Sequence, residues 1–484
     1  MLAVKPFKQT LVALALSVVA TGCASLPAPP NAKGPEGATR YYDAVNWDAA
    51  GAEATRVLQE YLRVDTINPP GNETRGAKFL HDVLAKEGIP SEVLEYAPGR
   101  GNIIARLEGT GPEAPLCLLS HIDVVTAEDD KWPQGKGPLS GTLDEKGYVW
   151  GRGALDMKGL GVMELMTLIW LKRLNVPLKR SVILMGVAAE ESDGGGIDFL
   201  VNKHWDKLGC SHSINEGGVG IKDLLVPGQT VHTISVAEKG VLWVKMTAHG
   251  DAGHGSTPIP GRAPERLVNA INKLMARKPE PVVHKSLIEL AARVGHDTGG
   301  ATGFVLKRPT LFRALAMDKL LESPPARATM FNTINVTGFE GRKEPNVIPS
   351  EVSAILDCRL LPGTRPSQML TELNETVGDT NVTFEALNTS EANESTWDDP
   401  FFEALARHAV GGRPHVVAGP ALSPGYTDSA PLRRKGVRAY GYMPFEVTQE
   451  ELRSFHGKDE RLSTENIHRG LRTLFRAVLD VSAR

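Results

Sequence analysis

Cysteine is scarce in this chain, with four residues in 484. That is too few for a disulfide scaffold, and no two form the Cys-x-x-Cys pair that holds structural zinc. An excess of charge of either sign is also missing. Lys plus Arg number 54 against 57 Asp plus Glu, a net charge of -3, so the overall electrostatics give no reason to expect nucleic acid as a partner. The Gly-x-Ser-x-Gly elbow and the Gly-x-x-x-x-Gly-Lys-Ser/Thr phosphate loop are both absent, which leaves a serine hydrolase or an ATPase without local support. No internal repeat stands out. What is present is globular in character: 41% hydrophobic and 23% charged residues exclude a disordered chain, and the length exceeds a single small module.

The N-terminal apolar run, Leu11 to Ala20, is shorter than the ~20 residues that span a bilayer. It follows Lys5 and Lys8 and leads into Thr21-Gly22-Cys23, which reads as a signal peptide over residues 1–23. The small-small-Cys ending resembles a bacterial lipobox, with Ala20 where Leu is usual. The expectation is an exported, periplasmic protein anchored to a membrane through lipidated Cys23; plain secretion is the alternative. Residues 24–39, rich in Pro, Ala and Gly, read as a flexible tether. Export leaves Cys117, Cys210 and Cys358, an odd number, so at least one is free or pairs between chains. Three buried thiols is the simplest expectation.

From about residue 49 to 235 short apolar runs alternate with helix-like stretches, the pattern of an α/β fold with a mainly parallel mixed sheet flanked by helices. Leu116–Ser120, Val182–Ala188 and Ser211–Asn215 are each followed at once by a chemically useful side chain: His121, then Glu190 and Glu191, then Glu216. Ligands of open α/β sheets bind outside the carboxyl ends of the strands, so these four converge where a site belongs. Between about 237 and 361 the texture changes to Val241–Ala248, Asn332–Phe339 and Glu351–Leu361 as strands and Arg262–Arg277 as a helix. This predicts an inserted smaller α+β lid or dimerisation domain over 237–361, with 40–236 and 362–484 forming the catalytic domain. The helical-looking stretch 284–328 is an embellishment without an assigned role. Near the C-terminus Ile467, Leu471, Leu474, Phe475, Val478 and Leu479 recur at helical spacing behind a Ser463 or Thr464 cap.

Hydrolysis at a metal needs imidazole and carboxylate ligands, an open position for water and a base for its proton. In His121-Ile-Asp123 both polar side chains project to one side of an extended segment, so Asp123 can orient the imidazole. Asp156 lies in the glycine-rich turn Gly151–Gly159, placed to reach between two metals. Glu190 and Glu191 are adjacent carboxylates, which repel unless a cation or a raised pKa separates their roles. Glu216 and His456 complete the set.

SHIDVV at 120–125, GRGALDMKG at 151–159, AEES at 189–192, NEGG at 215–218, AGHGS at 252–256, NVIP at 346–349, DCRLLPG at 357–363, YTDS at 426–429 and HGKDE at 456–460 resemble, in order, the motif set of the co-catalytic zinc exopeptidases. That family contains carboxypeptidase G, aminoacylase, carboxypeptidase S and succinyl-diaminopimelate desuccinylase. The likeness starts at TINPPG, residues 66–71. It implies two Zn2+, with Co2+ or Mn2+ as acceptable substitutes: Asp156 bridging, His121 and Glu216 on one metal, Glu191 and His456 on the other. It implies Glu190 as general base and His254 as the lid histidine that stabilises the oxyanion, in dimeric members within the partner's active site. Asn346, Arg359 and the Gly425–Asp428 turn with Thr427 become candidates for a substrate carboxylate. Two departures stand out: Ala189 and Asn215 replace residues that are usually acidic.

The expected activity is cleavage of an amide bond beside a free carboxylate, on N-acyl amino acids or short peptides. A deacylase of an envelope metabolite would use the same residues. A metal- or peptide-binding lipoprotein without turnover is the alternative of another class, and the retained Glu190 speaks against it. Trp132 and Trp150 are expected to pack, and Arg433-Arg434-Lys435 to form a solvated face.

Overall fold

A computed structural model describes residues 25–28 and 37–484, apart from 258 and 343. The signal peptide expected over 1–23, with its lipidated Cys23, and residues 24 and 29–36 of the tether lie outside the described residues.

The chain builds a large mixed sheet and a smaller antiparallel one. In chain order the strands of the large sheet are β1 (Ser91–Ala97), β2 (Arg100–Leu107), β3 (Glu113–His121), β4 (Arg180–Val187), β5 (His212–Asn215), β6 (Gly220–Lys222) and β7 (Thr230–Glu238). The lid strands follow: β8 (Gly240–His249), β9 (Thr333–Glu340), β10 (Glu351–Leu360) and β11 (Val382–Ser390). The large sheet then resumes with β12 (Val416–Ser423), β13 (Arg438–Gly441) and β14 (Glu446–Val447).

Its order is β1-β2-β4-β3-β5-β13-β7-β6-β14, with β12 also paired to β7. At the centre β4, β3, β5 and β13 run parallel. Antiparallel pairs occupy the flanks, so the sheet is mixed and the parallel expectation holds for its middle. β4 is buried at every position after Arg180, as a continuous apolar run covered by helices on both faces should be. The helices Trp47–Leu62, Lys158–Arg173 and Thr464–Ser482 form one layer over it. The last is capped by the Ser463 hydroxyl, which accepts the Asn466 amide at 3.2 Å.

The lid sheet has the order β9-β10-β8-β11. Leu242, Val244 and Met246 alternate inward against the helices Ala263–Met275 and Pro366–Val377. The lid therefore runs past the expected limit of 361, because Met369, Leu373 and Val377 bury their apolar face in it and β11 completes its edge. Conversely, the helix Lys285–Thr298, expected within the lid, packs Leu290 and Val294 against Val231 and Val417 of the large sheet.

Three further expectations change. Cys117 and Cys210 form a disulfide and Cys358 alone stays a buried thiol, because β3 and the approach to β5 are neighbours in the sheet. Arg433 is buried, not solvated; its guanidinium pairs with Glu238 at 3.1 Å. Residues 25–28 of the tether are held to the body of the protein, the Leu26 amide donating to the Lys307 carbonyl. No helix among the described residues is long and apolar enough to cross a membrane.

Candidate metal centre

β4, β3 and β5 are adjacent, and each delivers its ligand where its ladder stops. His121 is the last residue of β3, Glu190 and Glu191 follow β4, and Glu216 follows β5. Asp156 arrives from the turn that opens the helix Lys158–Arg173, and His456 from the loop after β14. The two Asp156 carboxylate oxygens face different imidazoles: Oδ1 lies 3.1 Å from His121 Nε2 and Oδ2 lies 3.0 Å from His456 Nε2. His456 Nε2 is also 3.1 Å from Glu191 Oε1.

Ligand atoms gather into His121, Asp156 and Glu216 on one side and Asp156, Glu191 and His456 on the other, each set within 4.8 Å. The two sets share Asp156. His121, Glu190 and Glu191 form a third such group.

The electrostatics show what this donor set requires. Burial, then the charges of Asp428, Glu191 and Asp156, push Glu190 well above the usual carboxylate range, although His121 opposes the shift. Burial also raises Glu216, with Asp156 and Glu190 adding. Asp156 and Glu191 accept from His456 and push its imidazole up to about 10. At His121 burial opposes protonation, but Asp156, Glu216 and Glu190 outweigh it and the pKa rises. The gathered buried carboxylates therefore call for positive counter-charge. Hard oxygens with imidazoles, converging around one shared carboxylate, fit a pair of divalent cations such as Zn2+.

A profile of peptidase family M20/M25/M40 matches residues 117–480. The chain belongs to that family. Aminoacylase-1 of Dictyostelium discoideum is 28% identical over 430 residues, covering 87% of this chain and 95% of that protein. A probable carboxypeptidase S-like 2 of the same organism is 27% identical over 362 residues, covering 73% and 69%. Among solved structures, the M20 family metallo-carboxypeptidase Sso-CP2 from Sulfolobus solfataricus superposes with a TM-score of 0.64 at 19% identity, covering 89% of this chain and 99% of that one. This M20 chain is accordingly a metallohydrolase of the peptidase and aminoacylase type, and the fold and family expected from its motifs are borne out.

In the M20 chain Asp123 meets His121 chiefly through its main chain and does a second job besides. His121 Nδ1 donates to the Asp123 main-chain carbonyl at 2.8 Å. The Asp123 carboxylate stands 3.7 Å from the same ring nitrogen and accepts the amides of Glu190 and Glu191, both at 3.1 Å, and Asn68 Nδ2 at 2.8 Å. The physical reason is that β3 ends at His121, so the alternation of an extended strand no longer governs residue 123. Ala189 sits at φ 68°, a left-handed conformation that costs a non-glycine residue roughly 1 kcal/mol and turns both amides toward Asp123.

Glu460 is a residue that sequence reasoning passed over. Its Oε1 accepts the amides of Gly153, Leu155 and Asp156 at 3.0, 2.8 and 3.0 Å, while Oε2 binds Arg152 at 2.7 Å. It holds the loop that carries the shared carboxylate. The HGKDE motif contained it, but nothing in spacing distinguishes a loop anchor from a solvated acid. Asn68, in TINPPG, was equally silent.

The expected substrate-binding residues fare less well. The Thr427 hydroxyl is buried and donates to Glu238 Oε1 at 2.6 Å, which leaves a substrate no access to it. Arg359 is paired with Asp357 through two bonds of 2.8 and 3.1 Å on its own strand. Asp428, in the turn expected to bind a carboxylate, is itself a buried acid. Burial pushes it up to about 8, its Oδ2 has no hydrogen-bond partner among the described residues, and its charge raises Glu190. Asn215 donates to Thr427 and Ser429 at 3.4 and 3.2 Å, bonds that an acidic side chain could not donate.

His254 and Asn346 meet on the lid, where Gly253–His254 pairs with Val347–Ile348 and the Gly255 amide donates to the Asn346 carbonyl. Both residues are exposed. His254 Nδ1 accepts the Ser256 amide at 3.2 Å, a tautomer that leaves Nε2–H as a donor.

Proposed function

We propose that this chain is a di-zinc exopeptidase or aminoacylase that cleaves the amide bond of an N-acyl amino acid or short peptide beside its free carboxylate. The observation that carries this reading is the Asp156 carboxylate, whose two oxygens address two separate ligand sets. His121 and Glu216 would complete one metal position, Glu191 and His456 the other. When bound, the pair polarises the scissile carbonyl and acidifies the attacking water.

Glu190 takes the proton. It lies beside both ligand sets without completing either shared one, and its raised proton affinity suits a group that accepts a proton from water and returns it to the leaving nitrogen. The Asp123 carboxylate fixes the main chain on which Glu190 and Glu191 ride. His254, with Nε2–H free to donate, supports the developing oxyanion when the lid of this subunit or of a second one closes over the site. Asn346 stands beside it as the remaining candidate for the substrate carboxylate. The signal-like pattern of residues 1–23 supports an exported enzyme anchored through Cys23.

The test is turnover on a panel of N-acyl amino acids and dipeptides, with zinc stoichiometry and a chelator arm. Glu190→Gln should lower kcat by about 10^2–10^4-fold with metal content unchanged. Full turnover by the variant would refute Glu190 as base, and metal binding without turnover by the parent chain would favour a binding protein.

A further inference from the structure

The helical stretch 284–328 and the segment after Cys23 have no part in the chemistry, and they meet. The Leu26 amide donates to the Lys307 carbonyl at 2.9 Å, and the Leu26 carbonyl accepts from His296 Nε2 at 2.9 Å. Cys23 precedes Leu26 by three residues, a reach of at most about 11 Å of extended chain. Whatever is attached to Cys23 is therefore delivered to the edge of this helical insert.

The surface beside the clamp is poorly suited to water. The helix Pro309–Leu321 carries Leu311, Leu315, Met317, Leu320 and Leu321, yet buries only Phe312. Leu315 is 41% exposed, and Phe304 on the preceding helix is 49% exposed. Basic residues frame these two: Lys307, Arg308 and Arg313, with the Arg308 guanidinium 3.6 Å from the Phe304 ring centroid. Asp318 is exposed one turn beyond Leu315 on the same side of the helix, and Glu322 follows its end. A helix of 13 residues is about 20 Å long, too short to span a bilayer. Its apolar side chains are spread around the helix, so the part that can meet lipid is the local patch of Phe304 and Leu315 with Lys307 and Arg308 beside Phe304.

We infer that the insert patch around Phe304 and Leu315 rests on an anionic lipid bilayer, so that the chain touches the membrane twice, through the anchor at Cys23 and through this patch. The inference rests on the anchoring reading above. It gives the insert a role and fixes which side of the enzyme faces the lipid.

The test uses the full chain, expressed in a bacterium and recovered with its membranes. A polarity-sensitive fluorophore is attached at Leu315→Cys or, on the lid, at Leu387→Cys, which is 50% exposed. With a quencher carried on the lipid tails, the probe at 315 should be quenched several-fold more than the probe at 387. Equal quenching in a membrane-bound chain would overturn the inference and leave the anchor standing. A shifted but unquenched probe at 315 would assign the face to a protein contact and overturn it too. Recovery of the chain in the soluble fraction would refute the anchor. The same labelled protein then meets vesicles of phosphatidylethanolamine with phosphatidylglycerol, where quenching supports the insert contact and its absence refutes it. Charge reversal, Arg308→Glu with Arg313→Glu, should weaken association with those vesicles roughly tenfold or more while hydrolysis in solution is unchanged.

Discussion

His121 and His456 occupy corresponding places on either side of Asp156, yet they are built by opposite means. His121 is 2% exposed, at the end of a central strand, with its second ring nitrogen tied to a main-chain carbonyl. The His456 side chain is 51% exposed, on a loop, at a left-handed φ of 57°. One half of the centre is fixed by the sheet before any metal arrives; the other depends on a loop that must hold an unfavourable backbone conformation. On the two-metal proposal, the closed half would suit retaining its ion, and the open half admitting substrate and exchanging metal.

The largest expected effect is at the residue the halves share. Asp156→Ala should remove both metal positions together and lower turnover by at least about 10^3-fold, read by metal analysis alongside kinetics. Retention of one full metal equivalent would show that the halves are independent after all. His456→Ala separates them. It should release about one equivalent, keep the other on His121 and Glu216, and lower activity by roughly 10^2-fold, with zinc restoring part of it. Loss of both ions from this variant would erase the asymmetry.

A smaller effect belongs to Glu460, which serves the shared carboxylate from behind. Glu460→Gln removes the charge that holds Arg152, itself 3% exposed, and weakens acceptance from the three loop amides. Metal affinity should fall about 10–100-fold, measured by competition with a chromogenic chelator, with both halves weakened alike. A drop confined to one metal would mean that the loop steers a single oxygen of Asp156.

The ligands at strand ends, Glu191 of the open half among them, were legible in the sequence pattern; the role of His456 came from the resemblance. Strand ends announce themselves: Leu116–Ser120 and Val182–Ala188 are apolar runs that stop at His121 and before Glu190, and burial on both faces leaves little alternative for such segments. His456 sits in a polar loop without periodicity, so the residues marked it only as another imidazole and the ordered motifs gave it its place beside Glu191. Asp123 was recognised beside His121, but its main-chain carbonyl takes the ring N–H while its carboxylate bonds the Glu190 and Glu191 amides, because the strand alternation stops two residues before it. The lid boundary failed for a related reason. Pro362 looks like a terminator, but the helix Pro366–Val377 buries Met369 and Leu373 in the lid, and burial, not local punctuation, decides which layer an amphipathic helix joins. Arg433 looked like one of three solvated cations; its partner Glu238 is 195 residues away in the chain, beyond any local pattern.

The same sheet offers a control at its other end. Asp399 lies where β5 and β13 begin, opposite the metal rim, and binds His212 Nε2 at 3.0 Å, the Phe401 amide at 2.9 Å and Arg438 at 2.7 Å. Burial alone would raise its pKa, but His212, the Phe401 amide and Arg438 outweigh it and hold the carboxyl down to about 2. Against an unfolded value of about 3.9, the depressed pKa contributes stability that is complete above that value and is lost as the pH falls toward about 2. Asp399→Asn should therefore lower stability at neutral pH by about 2 kcal/mol, with the gap from the parent chain narrowing below about pH 4. Urea unfolding across that range measures it. Metal content at neutral pH should stay unchanged, since this pair supports the origin of the strands and not their ends. A variant that also shed metal would show that the base of the sheet positions the rim.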